Sequence, residues 1–388
     1  MPPSGPSASD VPLDGAAPDT VRAAIESRDP LPGTAGFAGV VDDLLVRDVL
    51  GRRPLFVDAG DSTAWALDPR ELSDPVSVPA GTVSAVEARP EASDPLWTLP
   101  DPDPTDDDAA VAAVRDAVLG RTRALDGDDA GDVAVAFSGG VDSALVAAGA
   151  SDAPCYVAGF EGCHDVAAAR EAAAEMDRDL RVVELTHADL REAVPTLVAV
   201  TGRTNPMDLS IALPLFLVAE RAAADGFDRL ALGQGADELF GGYAKVAKAP
   251  DDPRVAADTV RGARRELLDT IPAQAERDVL AVRAAGVEPV APLLHDAVVA
   301  AALDLPERLL VDGDRRKVAL REVARGVVPE SVRRADKKAV QYGTYVSREL
   351  DRLARQAGYK RRMDDHVERY VRALVSDGPV TPPDESPS

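Results

Sequence analysis

Residues 133–143 read Val133-Ala134-Val135-Ala136-Phe137-Ser138-Gly139-Gly140-Val141-Asp142-Ser143, and an Ala-rich run to Ala150 follows. A buried strand that ends in small residues and opens into a helix leaves backbone N–H groups unpaired. With the positive end of the helix dipole, those donors form a pocket for phosphate. Gly139 and Gly140 allow the backbone to approach an anion, and Ser138 and Ser143 add hydroxyl donors. Asp142 is the odd member, because a carboxylate repels phosphate unless a cation lies between them. It therefore points to Mg²⁺. The spacing differs from the phosphate-binding pattern GxxxxGK[ST].

A second short apolar run, Leu230-Ala231-Leu232, leads into Gly233-Gln234-Gly235-Ala236-Asp237-Glu238-Leu239-Phe240-Gly241-Gly242-Tyr243. Four glycines around an acidic pair read as a tight functional loop, and Asp237 and Glu238 offer further hard oxygen ligands for a Mg²⁺–pyrophosphate. The first motif resembles the SGGxDS pyrophosphate loop of the ATP pyrophosphatases, which cleave ATP between its α and β phosphates. The two motifs in this order resemble the synthetase domain of the B-type asparagine synthetases, with the signature SGGxDS and then GxGADExFGGY. By motif order the resemblance covers roughly residues 109 to 350.

Composition bounds the partners. The 388 residues leave room for two domains and a sizeable core. A formal charge of −24 argues against nucleic acid, whose phosphates want Lys and Arg. Lysine is confined to Lys245, Lys248, Lys317, Lys337, Lys338 and Lys360. The acidity reads as adaptation to a cytoplasm of very high salt, where screening suppresses self-repulsion, in preference to a merely repulsive surface. Cys155 and Cys163 are too few for a disulfide framework, and no His/Cys spacing suggests zinc. Neither a signal peptide nor an apolar run of about 18 residues is evident, so a cytoplasmic protein without membrane contact is expected.

Along the chain, residues 1–20 read as a disordered Pro/Ser/Asp/Gly-rich lead, and residues 21–95 as a small strand-rich domain. Residues 96–108 form an acidic, Pro-rich linker, and residues 109–376 the main domain, with a polar tail at 377–388. Apolar runs at 133–137, 155–159, 182–185 and 229–232 alternate with helical stretches at 166–176 and 209–224. That alternation predicts an α/β fold, a parallel sheet with helices on both faces, and both glycine motifs fall at carboxyl ends of strands. After Tyr243 the pattern is mostly helical. The resemblance implies the adenine nucleotide alpha hydrolase-like PP-loop fold for this domain.

The amino-terminal segment carries a second resemblance. Val46-Arg47-Asp48-Val49-Leu50-Gly51-Arg52-Arg53-Pro54-Leu55 is similar to the VRDxxGxxPLY segment of the same family's glutaminase domain, and Pro79-Ala80-Gly81 to its PPG turn. That domain's nucleophile is a cysteine in a CGIAG motif. The nearest echo here is Ala35-Gly36-Phe37-Ala38-Gly39, with alanine at the cysteine position. Alanine has no nucleophile, so a shortened, catalytically dead segment that caps the main domain is expected. Free ammonia, or ammonia from a separate glutaminase subunit, would then be the nitrogen donor.

The resemblance implies that a carboxylate, aspartate first, attacks the α-phosphorus of ATP, and that an amine then displaces AMP. Ser138, Gly139, Gly140 and Ser143 would hold phosphates, while Asp142 and Asp237 would hold Mg²⁺. Ala136, Val157, Leu232 and Gly233 would contact the nucleotide, the last three from strand ends. Lys317, in a stretch similar to the family's KxxLR, and Lys337, at the family's spacing from Pro329, would face the leaving pyrophosphate. Arg333 or Arg334 would replace an arginine that the family places at Ala335. Glu238 would take a metal or water-mediated position, or only orient its loop.

Gln234 departs from the family, which usually has an acid there to take the amine's proton. Glutamine cannot act as that base, so Glu238, a water or the departing phosphate would accept the proton. Val290 and His295 also replace an arginine and an aspartate of the family's EARVPFLD segment. These departures favour a related amide ligase acting on another acid or amine, as in β-lactam-forming relatives. A nucleotide-binding protein without turnover is the third reading. His164, His187, His295 and His366 fall outside the motifs and read as structural or surface residues.

Overall fold

The computed structural model describes residues 13–61, 63–88, 94–127, 132–248, 259–335 and 342–377. In the amino-terminal segment β1 (Leu13–Asp14), β2 (Ala38–Val41), β3 (Leu44–Arg47) and β7 (Val83–Ala85) form one antiparallel sheet. A second joins β4 (Phe56–Asp58), β5 (Trp65–Ala66) and β6 (Pro75–Ser77), and α1 (Pro18–Ser27) packs beside the first. The strand-rich reading holds. The disordered lead needs correction, because Leu13 and Asp14 pair with Gly39 and Ala38 and α1 begins at Pro18. Residues 1–12 lie outside the described set. In the acidic linker, Trp97 is buried edge-on against Phe37, and Arg265 Nη1 donates to the Pro100 carbonyl at 2.8 Å.

The main domain is a five-stranded parallel sheet in the order β10-β9-β8-β11-β12. Its strands are β8 (Val133–Ala136), β9 (Cys155–Gly159), β10 (Leu180–Glu184), β11 (Arg229–Ala231) and β12 (Glu288–Val290). The helices on its way are α2 (Asp107–Arg123), α3 (Val141–Gly149), α4 (His164–Glu175), α5 (His187–Thr201) and α6 (Pro206–Ala224). Strand residues alternate between two cores, as a sheet covered on both faces requires. Val133, Val135, Cys155 and Val157 pack with α2, α3 and α4. Ala134, Tyr156 and Ala158 pack with α5 and α6 on the opposite face.

Past β11 come α7 (Ala236–Leu239), α8 (Ala244–Lys248), α9 (Val260–Leu268), α10 (Ile271–Ala284), α11 (Asp296–Leu303) and α12 (Glu307–Leu310). A short hairpin of β13 (Val311–Asp312) and β14 (Arg315–Arg316) precedes α13 (Val318–Val323), α14 (Glu330–Arg334), α15 (Tyr342–Gln356) and α16 (His366–Asp377). The mostly helical expectation holds; besides that hairpin the departure is β12, which pairs with β11 through Pro289 opposite Leu230. β12 lies at the end of the sheet, where a proline costs little.

The segment that resembles a glutaminase seats the amino-terminal region on this domain. Arg52 Nε donates to Asp48 Oδ1 at 2.8 Å, and Arg52 Nη1 lies 2.7 Å from Asp296 Oδ1 at the start of α11. Asp296 Oδ2 also accepts the Thr34 N–H at 2.7 Å, and all three charged side chains are at most 2% exposed. Truncating one partner of such a buried network commonly costs ~3–5 kcal/mol, because the remaining charges stay buried and unpaired. Arg52→Ala is therefore expected to lower the unfolding free energy by about that much in a denaturant titration. A loss below ~1 kcal/mol would mean that this network contributes only what an exposed pair does.

Candidate active site

Strand order explains why the two glycine motifs meet. β8 and β11 are neighbours, with Val135 opposite Ala231, so the loops leaving their carboxyl ends start side by side. The order of connection reverses between these strands, and such a switch point is where open parallel sheets bind ligands. Contact between the loops is tight. A Cβ on Gly233 would lie 3.0 Å from the Ser143 amide nitrogen and 3.2 Å from the Asp142 Cβ.

In the first loop Gly139 has φ +73°, a left-handed conformation that glycine adopts without penalty. Ser143 Oγ accepts the Ser138 N–H at 3.1 Å and donates to the Gly140 carbonyl at 3.2 Å. Gly140 caps α3 with no side-chain hydrogen bond, so no side chain on the cap competes for the helix's first donors.

Lys317 joins the two motifs. It sits just before α13 with φ 57° and is 4% exposed. Its Nζ lies 2.5 Å from Asp142 Oδ2 and 2.7 Å from Asp237 Oδ1. Burial alone would lower the Lys317 ammonium, but the two carboxylates outweigh it and hold the pKa above its ordinary value. Gly242 permits this approach, since a Cβ there would collide with the Asp237 carboxylate and the Lys317 Cε.

The two carboxylates expected to hold Mg²⁺ are thus adjacent, with an ammonium between them. Asp142 Oδ1 is buried and makes no hydrogen bond, as an oxygen reserved for a cation would. Among the described residues no group of three or more His, Cys, Asp or Glu side chains could hold a metal by itself. Two carboxylates nevertheless suit Mg²⁺, which is commonly bound by one or two carboxylates and completes its shell with phosphate oxygens and water.

Glu238 is buried, and its Oε1 accepts the Tyr243 hydroxyl at 2.6 Å. Burial pushes its pKa up against the pull of that hydrogen bond, with the neighbouring Asp237 pushing the same way. Gln234 Nε2 donates to Asp278 Oδ2 on α10 at 2.7 Å. Ala136 ends β8 and Leu232 follows β11, where its N–H donates to the Val290 carbonyl at 2.8 Å. Val157 requires correction. It is the third of five residues in β9, is 1% exposed and lies in the core, so it is not at a strand end. Lys337 and Lys338 lie outside the described residues. Arg333 and Arg334 are both engaged by Glu330, at 2.6 and 2.5 Å.

Of the histidines, His295 caps α11 by accepting the Ala297 N–H on Nδ1, while His187 and His366 pair with Glu349 and Asp351. Both cysteines are free and buried. Sequence reasoning missed Asp278 and its neighbours Glu276 and Arg277. The available signal was three successive charged residues in a helix whose other residues, apart from Gln274 and Arg283, are apolar.

The family model described as Asparagine synthase matches residues 112–278 and 261–377, more than half of the chain. The chain is 27% identical over 301 residues to the protein of Methanocaldococcus jannaschii named glutamine-hydrolyzing asparagine synthetase 1, covering 68% of this chain and 54% of that one. It is 25% identical over 378 residues to glutamine-hydrolyzing asparagine synthetase 2 of Arabidopsis thaliana, covering 89% and 62%. The chain thus spans little more than half the length of these relatives. The U34-tRNA thiolase NcsA from Methanococcus maripaludis aligns with a TM-score of 0.29 and 13% identity over 71% of this chain and 82% of its own. A likeness that slight carries nothing further.

The charge bridge makes a stability prediction. Lys317→Ala leaves the partly buried Asp142 and Asp237 together without their shared cation, so the variant should lose up to ~3–5 kcal/mol at neutral pH. The loss should shrink in acid, as protonation removes the repulsion. Lys317→Gly should be less damaging by ~1 kcal/mol or more, because glycine relieves the left-handed backbone. Urea unfolding of both variants at neutral and acidic pH measures this. Equal losses at both pH values would argue against the electrostatic account.

Proposed function

The chain belongs to the asparagine synthase family, and from that premise we propose that it is an ATP-dependent amide ligase. It adenylates a carboxylic acid, aspartate first among the candidates, releases pyrophosphate, and amidates the acyl group with ammonia. The observation that carries this reading is the convergence of residues 138–143, Asp142, Asp237 and Lys317 at the switch point of the sheet.

In the first step the acid's oxygen attacks the α-phosphorus, and negative charge builds on the departing pyrophosphate. Ser138, Gly139, Gly140 and Ser143 hold its oxygens through N–H and hydroxyl groups, and Lys317 offsets the developing charge from a position already fixed by two carboxylates. Asp142 and Asp237 are the residues that would hold Mg²⁺, which when bound supplies further charge neutralisation at the pyrophosphate. Lys337 is assigned to the same task by its spacing in the sequence. Ala136, Leu232 and Gly233 are assigned to the nucleotide. In the second step ammonia displaces AMP from the acyl carbon.

Ala35 stands at the echo of the glutaminase nucleophile, so ammonia is free or comes from a separate glutaminase subunit. A second reading, the same chemistry on another acid or amine, is favoured by Gln234, Val290 and His295. The strong acidity fits a cytoplasm of very high salt, so assays belong at high and low KCl.

The test is acid-dependent ATP–pyrophosphate exchange over a panel of carboxylic acids, followed by product analysis. AMP and pyrophosphate are expected, only with Mg²⁺ present, and Asp142→Ala or Asp237→Ala should reduce the rate by ~10²-fold or more. ADP and orthophosphate, or turnover indifferent to chelation, would overturn the reading. No exchange with any acid, despite ATP binding, would favour nucleotide binding without turnover. The chain alone should also release no glutamate from glutamine.

A further inference from the structure

Glu276, Arg277 and Asp278 on α10 are consecutive, charged and buried, and each meets a different partner. Glu276 Oε2 lies 3.4 Å from Arg47 Nη2 of the amino-terminal segment, and its Oε1 lies 3.3 Å from Arg203. Arg277 Nη1 donates to Asp208 Oδ1 at 2.9 Å, and its Nε to Asp278 Oδ1 at 2.7 Å. The second oxygen of Asp278 accepts from Gln234 at 2.7 Å. A buried carboxylate is therefore attached to the side chain between Gly233 and Gly235, in the loop that touches Asp142 and Ser143.

This arrangement has a chemical consequence. A glutamine cannot accept a proton, but a carboxylate bonded to it can. Glu238, the other acid of the loop, is committed to Tyr243. We propose that Asp278 is the base of the amide-forming step, taking the proton lost by the attacking nitrogen, and that Gln234 is the positioning residue that aims it. The inference rests on the ligase reading above.

The nitrogen lone pair forms the C–N bond at the acyl carbon. The bond from that carbon to the AMP oxygen breaks, and AMP leaves with the electron pair. The surplus proton on nitrogen passes to the Asp278 carboxylate and from there to water. The groups facing Asp278 are Arg277 on its own helix, Arg203 from the segment before α6, Asp208 in the first turn of α6, and Gln234 from the loop. Burial raises its pKa above the ordinary carboxylate value against the pull of Arg277. A base works best when its pKa approaches the working pH.

Asp278→Asn and Gln234→Ala in the full chain test this through both half-reactions. Asp278→Asn should keep acid-dependent pyrophosphate exchange near the wild-type rate. Its amide formation should fall ~10²- to 10⁴-fold and lose the ascending limb of the pH profile. Gln234→Ala removes a hydrogen bond to the charged form of Asp278, so that limb should move to higher pH. Amide formation by Asp278→Asn within a few-fold of wild type would overturn the proposal. Parallel loss of exchange and amide formation would do the same, making Asp278 a support of the nucleotide loops. If Asp278→Asn does not fold, an unmoved limb in Gln234→Ala overturns it instead. Wild-type chain without exchange on any acid would overturn the ligase reading itself, an outcome distinct from the others.

Discussion

A buried ammonium shared by two partly buried carboxylates organises this site. Asp142 comes from the first turn of α3, Asp237 from α7 and Lys317 from the residue before α13. Two carboxylates this close would repel each other out of water, and a lone buried ammonium would lose its charge. Together they hold three separate parts of the chain at the carboxyl ends of β8 and β11. The bridge also leaves one net negative charge, and Asp142 Oδ1 is buried without a hydrogen bond. Lys317 adopts a left-handed backbone to reach this position, and strain of that kind persists only where surrounding contacts over-determine it.

A second set of buried charges fastens the amino-terminal segment. Arg52 bridges Asp48 and Asp296, and Arg47 reaches Glu276 on α10. The stretch that resembles part of a glutaminase therefore serves here as the seat of one layer on another. Glu276 and Asp278 are two residues apart on α10, so the helix that receives the amino-terminal segment also carries the carboxylate bound to Gln234.

Much of the site was legible because its parts are local. Strand, small-residue turn and helix follow one another within residues 133–150, so this loop could be read from a single contiguous stretch. The alternation of strands and helices gave away the parallel sheet for the same reason, since each apolar run is contiguous. β12 was not legible. It is three residues long, contains Pro289, and becomes a strand only because β11 offers it a free edge. Val157 was misplaced because an apolar run does not reveal which residue ends a strand. That depends on which neighbours continue the ladder.

The sequence by itself determined the α/β class, both glycine motifs and the family, because these reside in order and spacing along the chain. Tertiary structure decided what the charged residues do. Lys317 and Asp142 are 175 positions apart, and Gln234 and Asp278 are 44 apart. No periodicity or spacing rule connects such pairs. They meet because β8 and β11 are neighbours, and because α10 and the start of α13 reach the carboxyl ends of those strands, where burial makes each charge dependent on its partner.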